Sequence, residues 1–136
     1  QAKKGILHVG HGQLASEVRA VVRQSVQAKH VTPHDVLRSL TTVRRQTAVD
    51  TFGVPVDGSL RAMRVILRET DFYAQLHSNQ NITPQQEAFL CAVVLAWRRA
   101  GTGRNRGRGR LIVDLLNANG DSILQDGYKR FVEVTA

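Results

Sequence analysis

The sequence predicts a mainly α fold: a four-helix bundle-like domain that ends in a small C-terminal antiparallel β meander. Three observations carry this. Apolar residues recur at helical spacing along much of residues 13–100. Two Thr-Pro pairs, Thr32-Pro33 and Thr83-Pro84, give helix start signals. The C-terminal part then changes to turn pairs, Asn119-Gly120 and Asp126-Gly127, followed by β-branched residues.

The first helix is expected from Gln13 to about Lys29. Leu14, Val18, Val21, Val22 and Val26 form one apolar face, and Ser16, Arg19, Arg23 and Gln27 lie opposite. Residues 5–9 before it fit a short strand or an extended arm, broken by Gly10-His11-Gly12. The second helix opens at Thr32, a good N-cap, with Pro33 at the first helical position and Asp35 near the positive end of the dipole. Val31 and Val36 have the spacing of a hydrophobic staple. Its inner stripe of Val36, Leu37, Leu40 and Val43 weakens through Thr47 and Ala48, and Gly53 and Pro55 close the segment.

A third helix is expected from Ser59 to about His77, with Leu60, Met63, Ile66, Leu67, Tyr73 and Leu76 inward. On it Arg61, Arg64 and Arg68 would share one stripe. The fourth helix runs from Thr83 to about Ala100. Its run from Ala88 to Trp97 has no charge, so it is expected to be the central, most buried helix, with Cys91 and Trp97 inside. Residues 111–118 fit either a strand or a short helical continuation, and the meander reading places turns at Asn119-Gly120 and Asp126-Gly127. The expected organisation is a single domain over 1–136: an arm over 1–12, a helical core over 13–100, an Arg/Gly loop over 101–110 and the meander over 111–136.

A chain of 136 residues, 42% apolar and 22% charged, can bury about two-thirds of its unfolded surface without staples. Its single cysteine excludes an internal disulfide and any multi-cysteine metal centre. No apolar run reaches membrane-spanning length. The opening residues lack a secretory leader pattern, which sets the expectation of a non-secreted protein, in a virion or the cytoplasm.

Nineteen basic residues against eleven acidic ones give a net charge of +8, and fifteen of the nineteen are arginine. Arginine's planar fork binds phosphate bidentately and stacks on bases, so the bias points to a polyanionic partner. The sharpest cluster is Gly-Thr-Gly-Arg-Asn-Arg-Gly-Arg-Gly-Arg over 101–110. Arg104, Arg106, Arg108 and Arg110 repel one another and cannot enter a core, while the glycines let backbone N–H groups approach phosphate. Arg98 and Arg99 lie just before it, and Arg61, Arg64 and Arg68 form the secondary cluster.

The functional expectation is a non-enzymatic, sequence-tolerant binder of single-stranded nucleic acid, RNA by preference, working as a homo-oligomer in a nucleocapsid- or coat-like assembly. Two alternatives stand beside it. A helix-turn-helix reading turns His34, Arg38, Thr41, Thr42 and Arg45 toward duplex DNA. A scaffold reading docks the Arg loop on an acidic protein. His8 with His11, and His30 with His34, lack the further ligands a zinc site needs, and no catalytic motif or nucleotide loop stands out. No catalytic residue, metal or cofactor is therefore expected.

Overall fold

A computed structural model describes residues 5–103 and 108–135. The protein is mainly α. The described residues form four helices with small two-stranded antiparallel sheets. The order is β1 (Leu7–Val9), α1 (Ser16–Gln27), α2 (Pro33–Leu40), β2 (Thr41–Gln46), β3 (Arg61–Ile66), β4 (Leu76–Ser78), α3 (Pro84–Ala96) and α4 (Leu124–Thr135). The chain divides into two compact units, one of Leu7–His77 and one of Gln1–Ile6 with Ser78–Ala136.

In the Leu7–His77 unit, the expected capping of α2 is present in full. Thr32 Oγ1 accepts from the Asp35 N–H at 3.2 Å, and Asp35 Oδ2 accepts from the Thr32 N–H at 3.0 Å. The helix stops at Leu40, short of the expected end near Phe52. The β-branched run Thr41-Thr42-Val43 loses χ1 freedom in a helix and suits a strand, so the chain passes directly into β2. This removes the helix-turn-helix arrangement, because Thr41, Thr42 and Arg45 lie on a strand and not on the helix that carries His34 and Arg38.

The expected third helix is absent: residues 59–77 hold β3 and the start of β4. Leu60, Met63, Ile66 and Leu67 fit helical spacing, but Met63 and Val65 equally alternate with Arg64 and Ile66. Pairing with β2 decides between the two periods. β3 runs antiparallel to β2, with Thr41 opposite Ile66, Val43 opposite Arg64 and Gln46 opposite Arg61. Glu69 then takes a left-handed φ of 58°, which no helix through this stretch would allow.

The β2–β3 ribbon continues to a tip at residues 50–54. There Asp50 Oδ1 accepts from the N–H groups of Phe52 and Val54 at 2.8 and 2.9 Å, and Gly53 supplies φ +80°. Residues 7–13 form a strand ladder and not a free arm. β1 pairs with β4, Gln13 bridges Tyr73, and the Gly10 N–H donates to the Gln75 carbonyl at 2.7 Å.

In the Ser78–Ala136 unit, α3 opens on the expected Thr83 capping box with Gln86. The expected β strand over 128–134 is instead part of α4. Gly127 read as a turn residue, yet it lies in the first turn of α4 and is buried, where a Cβ would stand 2.3 Å from Cys91 Sγ. Its glycine serves close helix packing. Ala88, Cys91 and Leu124 form the buried centre, the Phe89 and Phe131 rings lie 6.1 Å apart, and Arg130 pairs with Glu87 at 2.6 Å. The Asn119-Gly120 turn is where the sequence places it, between the bridged Leu116 and Ser122. Residues 111–115 are neither helix nor strand.

Cys91 is fully buried as expected, but Trp97 is 50% exposed. The helix ends at Ala96, four residues before the expected Ala100, and Trp97 leaves helical geometry as the C-cap. Phe89 and Val93 are also exposed, so α3 buries the narrow Ala88–Cys91 side and is not enclosed all round.

Candidate nucleic-acid interface

The Arg/Gly loop is closed by a short antiparallel neck. Beyond Trp97 the chain extends, and residues 98–100 lie against residues 109–111. The Ala100 N–H donates to the Gly109 carbonyl at 2.9 Å, and the Leu111 N–H donates to the Arg98 carbonyl at 3.1 Å. Arg99 and Arg110 are the bridged pair between these two bonds.

Glycine is required at the neck. Gly109 has φ +65°, and a Cβ there would stand 1.8 Å from the Ala100 carbonyl oxygen. Inside the loop, a Cβ on Gly103 would lie 3.2 Å from Arg108 Cδ, so the two ends of the segment approach closely. Arg104 and Arg106 fall outside the described residues.

The neck sets the backbone positions of Arg98, Arg99, Arg108 and Arg110 near one another, with Arg98 and Arg99, as neighbours on an extended segment, on opposite faces. Arg98, Arg99 and Arg110 are exposed and Arg108 is half-buried. Arg99 and Arg110 are like charges facing across the strand pair, an arrangement that works against pairing. Between Glu87 and Asp114 the sequence carries six arginines and no acidic residue. Glu87 holds Arg130, and Asp114 Oδ1 accepts from Ser122 Oγ at 2.6 Å and from the Leu115 N–H at 2.8 Å.

Trp97 borders the neck. Its Nε1–H donates to the Arg99 carbonyl at 3.0 Å, which fixes the indole beside the arginines with half its surface in solvent. Sequence patterning assigned this ring to the core. The missed signal is that Arg98 and Arg99 immediately follow it, so a helix ending at Ala96 and not near Ala100 turns the ring outward.

The structure does not form the Arg61, Arg64 and Arg68 stripe. On a strand, residues three apart face opposite ways. Arg64 shares its face with Arg45, and Arg61 shares the other with Arg44, while Arg68 lies in the turn beyond β3. Arg64 Nη1 also donates to Thr41 Oγ1 at 3.0 Å. These arginines belong to the Leu7–His77 unit and the neck to the other unit.

Among the described residues, no three His, Cys, Asp or Glu side chains come together as a metal site, and no helix is long and apolar enough to cross a membrane. Burial raises the Cys91 thiol above its ordinary pKa, with the Glu87 carboxylate adding to the shift, so the sulfur stays a neutral thiol at neutral pH. Comparison with known proteins finds no family model that matches the chain and no curated relative.

Proposed function

We propose that the protein binds single-stranded nucleic acid, RNA by preference, without catalysing a reaction, through phosphate contacts from Arg98, Arg99, Arg104, Arg106, Arg108 and Arg110. The observation that supports this best is the neck, which sets Arg99 against Arg110 at the base of a loop without a carboxylate. Guanidinium forks take phosphate bidentately, and a glycine-rich loop can follow the irregular backbone of a single strand. The half-exposed Trp97 ring offers a base a stacking surface beside the phosphate contacts. Such binding is sequence-tolerant, because phosphate carries no sequence information. A packaging role in a homo-oligomeric coat, in a virion or the cytoplasm, accords with the exposed apolar side chains of Phe89 and Val93, which a neighbouring subunit can cover.

Trp97 is the sole tryptophan, so its fluorescence reports occupancy of the neck. Titration with a random single-stranded oligonucleotide is expected to quench it. Each phosphate neutralised on a single strand contributes a slope of about −0.7 to log K against log salt. Replacing Arg104, Arg106, Arg108 and Arg110 with alanine is expected to flatten that slope by nearly three units and leave the helical circular dichroism unchanged. An unchanged slope removes the loop from the interface. Binding of an acidic protein with no competition from the oligonucleotide favours the scaffold role.

A further inference from the structure

The Leu7–His77 unit contains a cavity of about 520 Å³ between the first turn of α1 and the ladder of residues 10–13 against 73–75. That volume lies within the roughly 300–1,000 Å³ typical of small-ligand sites. Its walls are fixed by backbone bonds. Gln13 and Tyr73 exchange N–H donors at 2.8 and 2.7 Å, and Gly10 donates to Gln75 at 2.7 Å. A Cβ on Gly10 would come within 3.2 Å of the Gln75 carbonyl, so glycine permits the close approach.

The lining is more polar than apolar, and its polar side chains are exposed. It includes His11, Gln13, Glu17, Arg19, Tyr73 and Gln75. The Arg19 guanidinium donates to Gln13 Oε1, which ties it to the ladder. The Glu17 carboxyl is held below its usual range, chiefly by its own backbone N–H, then by the Ser16 hydroxyl and by the Arg19 charge. Glu17 is therefore ionised, and the Arg19 cation lines the same cavity.

One carboxylate and one guanidinium sum to no net charge. Such a cavity does not favour a free phosphate, which Glu17 repels. It suits a neutral planar ligand with paired donors on one edge and paired acceptors on the next. Among the bases, guanine alone has that layout: N1–H and N2–H beside each other, then O6 and N7. Adenine turns a lone pair toward a carboxylate at N1, and cytosine does so at N3. Uracil offers a single N–H. Tyr73, 54% exposed, adds a ring on which a base can stack.

We propose that this cavity takes one unstacked guanine, with Glu17 accepting from N1–H and N2–H, Arg19 donating to O6 and N7, and Tyr73 stacking on the ring. As a subsite for a base of a bound strand, this inference rests on the nucleic-acid function proposed above. The free nucleoside tests the cavity on its own.

The experiment is calorimetric titration of the whole protein with guanosine, adenosine, cytidine and uridine, none of which carries phosphate. Guanosine is expected to bind at least ten-fold more tightly than the others. Inosine, which lacks the N2 amine, is expected to fall between. Glu17→Gln is expected to remove the preference with unchanged circular dichroism, and Arg19→Lys to weaken guanosine while keeping the charge. Equal affinities for the four nucleosides, no guanosine binding, or a Glu17→Gln protein that still prefers guanosine would each overturn the assignment. A parallel titration compares an all-uridine oligonucleotide with one holding a central guanosine. Guanosine binding without oligonucleotide binding retains the cavity and removes the strand-binding function. Oligonucleotide binding without guanosine binding does the reverse.

Discussion

Gly127→Ala probes the close approach of α4 to α3 at Cys91. The added methyl would stand 2.3 Å from Cys91 Sγ and 2.8 Å from Cys91 Cβ. Non-bonded carbon atoms settle at about 3.5–4.0 Å, so α3 and α4 must part by roughly 1 Å at this point. Overpacking of a filled site costs about 1–3 kcal/mol, and two violated contacts on a buried neighbour place this site near the upper end. Alanine returns about 1 kcal/mol of helix propensity over glycine. The expected net loss is about 2 kcal/mol, or about 8–16 °C in melting temperature for a cooperative unit of this size. Urea unfolding followed by circular dichroism measures it. Adding Cys91→Ala removes the nearer clash and leaves the second, so the double variant is expected to recover part of the loss, with a coupling energy above about 0.5 kcal/mol. A Gly127→Ala protein more stable than wild type by the propensity term alone would refute close packing of α4 over Cys91.

Gly109→Ala places a methyl 1.8 Å from the Ala100 carbonyl oxygen at a left-handed φ. It is expected to open the neck and reduce oligonucleotide affinity several-fold while the melting temperature of α3 and α4 changes by less than that of Gly127→Ala; Trp97 fluorescence reads the first and circular dichroism the second. Asp35 has its pKa lowered, chiefly by the Thr32 hydroxyl and then by the Thr32 N–H. A folded-state value below the unfolded one of about 3.9 means that the cap contributes its full stability above that pH and loses it as the pH falls through the folded value. Asp35→Asn is therefore expected to reduce the loss of stability between pH 5 and 2 in acid titration, and an unchanged acid limb would assign that loss to other carboxylates.

Both Thr-Pro helix starts and the Asn119-Gly120 turn were legible because capping and tight turns are local chemistry, settled within four residues. The misread segments are those where partners distant in sequence decide. Residues 61–66 satisfy helical and strand periods alike, and only β2, some twenty residues away, selects the strand. Gly127 carried a turn signal, and its cause lies 36 positions upstream at Cys91. Arg98, Arg99, Arg108 and Arg110 were visible as charges, but their meeting at a neck depends on pairing across the loop. The cavity beside α1 had no sequence signature at all, since it unites residues 10–19 with residues 73–75.

Thr41 has a mechanical consequence. It follows Leu40 directly, so no connecting loop separates α2 from β2. Its hydroxyl donates to the Leu37 carbonyl and accepts from Arg64, clasping the helix and both strands of the ribbon at one oxygen. A hinge needs residues whose dihedrals can change without breaking bonds, and none stands at this junction. Swinging the ribbon against α2 would break this clasp, so a load applied at Phe52 is carried into the helix as through a rigid lever. Length changes are best absorbed at the far end, in residues 47–60, beyond the paired residues of β2 and β3.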